Sequence, residues 1–174
     1  KDNLISNSGI NGIGIIGENI TTVENVISDN LGNAISLDSA KDVQILGDHI
    51  YENDLFGIFG STKGYLILDG VDIHDNKGYG IRITDSDDVE IRDCTISYHN
   101  SINIDLGNIE NVTIYEISSF SSGIGLDITS VKNATILGSS FFNLDLGGIV
   151  ISHIDRMKIR SNQFQDCGLV FNDH

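Results

Sequence analysis

The sequence predicts an all-β fold: a right-handed parallel β-helix, or single-stranded solenoid, with coils of 22–23 residues and seven to eight coils. Three observations predict it. A short apolar strand recurs at a fixed interval, two further apolar columns keep the same interval, and polar residues recur at the turns between them. Because the three columns share one period, a chance excess of isoleucine does not explain them.

The strand that sets the interval follows a glycine or another small residue and alternates in polarity. Its second residue lies at positions 13, 35, 58, 81, 104, 126, 149 and 169, so the intervals are 22, 23, 23, 23, 22, 23 and 20 residues. Alternation gives a strand one inward and one outward face. We therefore expect one aliphatic stack inside the coils, formed by Ile35, Ile58, Ile81, Ile104, Leu126 and Ile149.

Two further segments of each coil recur with the same period. An apolar pair recurs at Val43/Ile45, Leu66/Leu68, Val89/Ile91, Val112/Ile114, Ala134/Ile136 and Met157/Ile159. A third column comprises Ile27, Ile50, Ile73, Ile96, Ser119, Phe141 and Phe164. Three short alternating segments with no helical spacing between them predict three parallel sheets that run along a solenoid.

The turns carry polar residues at the same period. Asn30, Asn53 and Asn76 each lie three residues after the third column, so their amides should stack and satisfy buried turn groups. The pattern stops at His99 and predicts that later turns are built differently. A second shared turn position holds Asn25, Asp48, Cys94, Ser139 and Asn162.

Composition excludes several partners. The net charge of −15 and the isoelectric point near 4.3 argue against nucleic acid and anionic membrane surfaces, which attract basic proteins. No stretch approaches the roughly 18 consecutive apolar residues of a membrane helix, so we expect no membrane insertion. Cys94 and Cys167 should lie about three coils apart, on the order of 14 Å, which is beyond the reach of a disulfide.

The ends of the solenoid have no visible cap. Repeat proteins normally need capping elements, because a terminal coil otherwise exposes its apolar interior. We expect residues 1–174 to form one β-helix domain that is a segment of a larger protein. Flanking coils or subunits would then cover its two ends.

Residues 69–83 (DGVDIHDNKGYGIRI) and 41–53 (KDVQILGDHIYEN) resemble the parallel β-helix repeats of mannuronan (alginate) C5-epimerases. They are also similar to the wider pectate-lyase-like superfamily, which includes polygalacturonases and phage tailspikes. The resemblance covers essentially the whole chain. It implies a carbohydrate-active parent that works on polysaccharides or cell-surface glycans, at an extracellular or cell-surface location.

The catalytic residues of those enzymes do not carry over. The epimerase strand reads roughly Tyr-Gly-Phe-Asp-Pro-His. Tyr79 and Gly80 agree with it, but Arg82 stands at the Asp position and Thr84 at the His position. Polygalacturonases place Asp immediately before the strand in adjacent coils, to supply two separated carboxyl groups. The matching positions here hold no acid: Asn11, Asn33, Phe56, Tyr79, Ile102, Ile124, Gly147 and Cys167.

A candidate carbohydrate-binding row lies on the outward face of the glycine-led strand. Phe59, Arg82, Asp105 and Asp127 occupy that face in consecutive coils, so neighbours should lie one strand spacing apart. An aromatic ring beside an arginine and two carboxylates suits a sugar. The alternative is an ordinary surface ion pair, which contributes about 0–1 kcal/mol.

An acidic turn is a candidate calcium site. Asp85, Asp87 and Asp88 lie between two strand segments, and clustered carboxylates with backbone carbonyls suit Ca²⁺. Aspartate is also a common turn residue without any ion.

A group of imidazoles is a second candidate metal site. His49 and Asp72 share one outward column, and Tyr51 and His74 share the column two residues on. Imidazoles beside carboxylates can hold a transition metal. The alternative is a solvated polar face.

The leading functional hypothesis is an extracellular, polysaccharide-associated β-helix, a scaffold or glycan-binding segment of an epimerase- or lyase-like parent. A second is a non-catalytic structural surface or tailspike-type module. A third is an active lyase, epimerase or hydrolase with an unrecognised site.

Overall fold

In-register parallel pairing between successive coils organises the computed structural model, which describes residues 1–172. The glycine-led strand pairs with its equivalent in the next coil at seven steps: Ile13↔Ile35, Ile35↔Ile58, Ile58↔Ile81, Ile81↔Ile104, Ile104↔Leu126, Leu126↔Ile149 and Ile149↔Leu169. The predicted right-handed parallel β-helix is therefore confirmed, with about seven turns. Residues 1–172 contain no helix, and so none that could cross a bilayer.

Fifteen strands make up the described chain. In order they are β1 (Leu4–Ser6), β2 (Ile13–Ile15), β3 (Glu18–Val23), β4 (Val26–Ser28), β5 (Ile35–Leu46), β6 (His49–Tyr51), β7 (Ile58–Asp69), β8 (Asp72–His74), β9 (Ile81–Arg92), β10 (Thr95–Ser97), β11 (Ile102–Tyr115), β12 (Ser118–Leu137), β13 (Ser140–Arg160), β14 (Gln163–Gln165) and β15 (Leu169–Phe171). Every pairing between them is parallel.

The prediction of three separate short strands per coil is wrong for most coils. β5, β7 and β9 each run through two of the expected segments in 12 residues, and β12 and β13 run through all three in 20 and 21 residues. The reason is that the chain turns the corner at a single residue in the left-handed conformation, such as Asp85, whose φ is 53°. Residues on both sides of it keep their partners, as Thr84↔Gly107 and Ser86↔Ile109 show. Pairing therefore continues around the bend.

The other two corners of each coil are also formed by single left-handed residues. A left-handed residue follows the third column at Asp29, Glu52, Asp75, Tyr98, Ser121, Asn143 and Asp166, and another follows the second segment at Glu24, Gly47, Gly70, Asp93, Glu116, Gly138 and Ser161. Asp, Asn and Gly tolerate this backbone region better than other residues do. Part of the chain's acidity therefore comes from its corners, where Asp2, Asp29, Asp42, Asp75, Asp85, Asp93 and Asp166 all have positive φ.

The core is the predicted aliphatic stack. Ile35, Ile58, Ile81, Ile104, Leu126 and Ile149 are all 0% exposed. The second and third columns are buried beside it through most coils, and Met157, Ile159 and Phe164 of the last coil are only partly covered. Burying each such side chain contributes about 1.5–3 kcal/mol, so the continuous column is the main source of stability.

The buried asparagine ladder forms as predicted and extends further. Asn30 Nδ2 donates to Asn53 Oδ1 at 2.9 Å, and Asn53 Nδ2 donates to Asn76 Oδ1 at 2.8 Å. The asparagine pattern ends at Asn76, and the next turns are built differently, as predicted, although hydrogen bonds between the coils continue. His99 Nδ1 accepts the Asn76 backbone N–H at 3.3 Å, and the His99 backbone N–H donates to Ser122 Oγ at 3.0 Å. An imidazole and a hydroxyl thus continue the ladder.

The second polar turn position holds a fully buried carboxylate. Asp48 accepts the backbone N–H and the side-chain amide of Asn25 at 2.7 and 3.0 Å, and the hydroxyl of Thr22 at 2.5 Å. Three donors compensate for the lost hydration of its oxygens. Further along this column Cys94 is buried, and burial raises the pKa of its thiol to about 12. Cys94 and Cys167 are both free, as predicted.

The core column and the outward face should respond differently to truncation. We expect Ile81→Ala to lower the free energy of unfolding by about 2–5 kcal/mol, because Ile81 is 0% exposed and the cavity cannot collapse freely. Thr84→Ala on the half-exposed outward face should change it little. Urea titration of both variants measures the difference, and equal losses would contradict the assignment of faces.

His99 should make the fold sensitive to acid. Its side chain is buried, its Nε2 has no partner among residues 1–172, and burial lowers its pKa to about 4. The unfolded chain, with an ordinary imidazole pKa of about 6.5, takes up the proton first. Stability from neutral His99 is therefore complete above pH 6.5 and is lost as the pH falls toward 4, by about 3 kcal/mol.

The variant His99→Asn isolates this contribution, because an amide suits the ladder and does not titrate. We expect the variant to lose less stability than the native chain between pH 7 and pH 4.5, as measured by urea unfolding at both values. Parallel pH dependence in the two proteins would show that His99 is not the acid-sensitive group.

Candidate functional site

The structure brings the four predicted carbohydrate-binding residues into one row. Phe59 pairs with Arg82, Arg82 with Asp105, and Asp105 with Asp127, each in the next coil. All four lie on the outward face of the glycine-led strand, and we call them the sheet row. The row is a consequence of the register, because parallel pairing places residues 22–23 apart side by side.

The charges of the sheet row are partly desolvated. Arg82 Nε lies 3.2 Å from Asp105 Oδ2. Partial burial raises the pKa of Asp105; Arg82 opposes the rise, and the neighbouring Asp127 adds to it. Burial also raises the pKa of Asp127, and a 3.4 Å hydrogen bond from the Thr129 hydroxyl opposes this. Perturbed carboxyl pKa values occur at functional sites and also in structural ion pairs.

An aromatic cluster adjoins the row, and two of its members were missed in the sequence. Phe56 stacks on Phe59 with ring centroids 5.1 Å apart and planes at 15°, and Tyr79 meets the Phe56 ring edge-on at 5.4 Å. The Arg82 guanidinium lies over the Tyr79 ring at 5.6 Å. We call Phe56, Phe59 and Tyr79 the aromatic cluster. The available signal was an aromatic residue before the strand in two consecutive coils, the coil of Phe59 and the one after it.

Small residues continue the outward face beyond the sheet row. Two residues further along the strands lie Thr84, Gly107, Thr129 and Ser152, paired in register. The hydroxyls of Thr129 and Ser152 are 2.9 Å apart and hydrogen-bonded. Because these side chains are short, the face between the row and the corner forms a low floor lined by hydroxyl groups.

A polar groove of about 710 Å³ runs beside this floor at the corner of the coils. Its wall includes the acidic turn of the sequence prediction, and Lys132 crosses it to Glu110 with an N···O distance of 2.7 Å. Both signs of charge line the groove, from Lys63, Asp85, Asp87, Lys132 and Asp155.

The three carboxylates predicted to bind calcium do not converge. Each of them accepts a hydrogen bond from a neighbouring coil: Asp85 from the Asn108 amide, Asp88 from the Asn111 amide at 2.6 Å, and Asp87 from the Gly64 backbone N–H at 2.9 Å. Within residues 1–172, three His, Cys, Asp or Glu side chains bring their ligand atoms within 4.8 Å of one another only at His49, Asp72 and His74. Calcium binding at the acidic turn stays a prediction.

The stack of in-register parallel coils defines a parallel β-helix protein. One open face of this stack carries aromatic, charged and hydroxyl groups. The chain belongs to the family of the right-handed β-helix region, whose model matches residues 1–114. No curated protein matches the chain.

Three solved structures share the fold. The periplasmic alginate epimerase AlgG matches with a TM-score of 0.76 at 14% identity, over 95% of this chain and 44% of its own. Pectate lyase Pel9A matches with 0.71 at 13% identity, over 98% and 51%. The A-module of the mannuronan C-5 epimerase AlgE6 from Azotobacter vinelandii matches with 0.56 at 10% identity, over 97% and 56%. The chain thus spans about half the length of each, and identities this low show the fold alone.

Proposed function

We propose that this chain is a polysaccharide-associated β-helix whose sheet row and aromatic cluster bind a neutral or weakly charged glycan. The observation that carries the proposal is the partly exposed aromatic cluster beside Arg82, Asp105 and Asp127 on one open face. The fold is shared with an alginate epimerase and a pectate lyase, enzymes that act on polysaccharides. This supports carbohydrate as the ligand class. Since AlgG is periplasmic, it also supports a location outside the cytoplasm, which we infer to be extracellular or at the cell surface.

The aromatic cluster suits the apolar face of a sugar ring. Phe59 is 37% exposed, and its stacking on Phe56 holds the ring plane in place. Aromatic rings supply a large contact area with little loss of side-chain freedom. A glycan lying across the strands would meet Phe59 first, then Arg82 and the two carboxylates, at steps of about 4.8 Å.

The carboxylates suit sugar hydroxyl groups. Asp105 and Asp127 accept hydrogen bonds when ionised, and each such bond contributes modestly, about 1 kcal/mol. Arg82 is already paired with Asp105, so it offers little charge to a uronate. The net charge of −15 repels polyanions at long range. A polyuronate would therefore need a bridging cation such as Ca²⁺.

Catalysis is the second candidate function, and one observation favours it. Asp105 and Asp127 are adjacent carboxyl groups with raised pKa values, as general acid–base pairs often are. The epimerase pattern opposes it, because the outward positions that should carry Asp and His hold Arg82 and Thr84.

Glycan-array binding tests the proposed surface. We expect the native chain to bind neutral or weakly charged glycans, and Phe59→Ala and Asp105→Ala each to weaken binding about tenfold, the equivalent of about 1.4 kcal/mol. The matched controls Tyr98→Ala and Asp145→Ala remove an exposed aromatic and an exposed acid elsewhere, and should bind like the native chain. Binding unchanged in both sheet-row variants, or confined to polyuronates without calcium, would contradict the proposal.

Activity assays separate the two candidate functions. We expect the chain to release no unsaturated uronates from alginate or pectate and to exchange no C5 proton in deuterated water, with or without calcium. The reason is the lack of His and Asp at the epimerase positions and of acids before the strands. Product formation that disappears in Asp105→Asn or Asp127→Asn would instead establish catalysis by this face.

A further inference from the structure

A group of imidazoles lies on a different face of the solenoid from the sheet row. Strands β6 and β8 pair in register, with His49 opposite Asp72 and Tyr51 opposite His74. The residues between them, Ile50 and Ile73, point into the core and are 0% exposed, so all four polar side chains point outward. They are half-buried, which limits their freedom without closing them to solvent.

The ligand atoms of three of these side chains converge. His49 Nε2 lies 2.9 Å from His74 Nε2 and 3.3 Å from Asp72 Oδ2, and the three atoms are all within 4.8 Å of one another. At 2.9 Å the two nitrogens can share one proton, and a metal ion can replace that proton. Zinc bonds of about 2.0–2.2 Å at angles of about 90–110° place neighbouring ligands about 2.9–3.5 Å apart.

A neighbouring carboxylate prepares one imidazole for this role. His74 Nδ1 donates to Asp75 Oδ2 at 2.8 Å, which leaves the Nε2 lone pair of His74 directed at His49. Metal-binding histidines in proteins almost always have such a partner on the other ring nitrogen. Asp75 is held in place because it is the left-handed corner residue that follows β8.

Ring stacking fixes the orientation of both imidazoles. The Tyr51 ring stacks on His74 with centroids 5.3 Å apart and planes at 5°, and it also contacts His49 at 4.9 Å. Such support lowers the entropy that a ligand set loses when it closes on an ion. Glu52 and Asp75, the corner residues beside these strands, add negative charge near the site.

We propose that His49, Asp72 and His74 bind a divalent transition metal ion such as Zn²⁺ or Ni²⁺. Two imidazoles and one carboxylate suit these ions, whereas Ca²⁺ and Mg²⁺ prefer oxygen ligands throughout. Three protein ligands on an open face leave at least one coordination position for water or for an exogenous ligand. The site is independent of the proposed glycan surface, because it is built on other strands.

Titration of the intact, EDTA-stripped chain with ZnCl₂ tests the proposal. We expect one equivalent to bind and to raise the melting temperature by mass action. His49→Gln, His74→Gln and Asp72→Asn should each weaken binding at least tenfold, and Asp75→Asn should weaken it by roughly tenfold or more through the lost partner. The matched control His153→Gln removes an exposed histidine on another corner and should bind like the native chain.

Two further measurements keep the outcome decisive. Far-ultraviolet circular dichroism without metal should be the same in all variants, since each replaced side chain points outward. Co²⁺ as a probe should give visible absorption bands with the native chain that a tenfold excess of CaCl₂ does not displace. Absence of stoichiometric Zn²⁺ or Co²⁺ binding to the native chain, or binding unchanged in the His49→Gln/His74→Gln double variant, would overturn the proposal.

Discussion

In-register pairing of each coil with the next is the constraint on which the rest of this structure depends. A parallel ladder places every residue beside its equivalent one coil later, as with Ile81 and Ile104. A slip of one residue would turn the buried face outward along the whole segment. The repeat must therefore put apolar on apolar inside and amide on amide at the turns. This explains both the aliphatic core and the buried ladder through Asn53 and Asn76.

The same constraint leaves one position of the buried ladder incompletely hydrogen-bonded. His99 takes the position of an asparagine, and its ring satisfies one backbone N–H but leaves Nε2 without a partner among the described residues. The ring lies against Gly80, where an added Cβ would stand 2.5 Å from Nε2. Gly80 thus leaves room for the imidazole, as Gly57 does for the side-chain amide of Asn76.

Outward positions are free of the stacking requirement, and both candidate sites lie there. Each collects residues that are distant in sequence and adjacent in space: Arg82 with Asp105 on one face, and His49 with Asp72 on another. The corners contribute as well, because their left-handed conformation favours aspartate. One such corner residue, Asp75, is the hydrogen-bond partner of His74. Part of the chain's negative charge therefore comes from its corner residues, and only part of it comes from the other residues of the two candidate sites.

The sequence alone determined the coil period, the inward columns and the membership of the sheet row, because in a parallel stack all three follow from counting residues. Only the tertiary structure decided how the coil turns and how side chains close on one another. Corners of a single left-handed residue, the continuation of the ladder by His99, and the packing of Phe56 and Tyr79 around Phe59 depend on local dihedral angles and rotamers, which counting residues does not give. For the same reason, structure was needed to show that the carboxylates of Asp85, Asp87 and Asp88 turn to separate partners while the imidazole of His49 reaches His74.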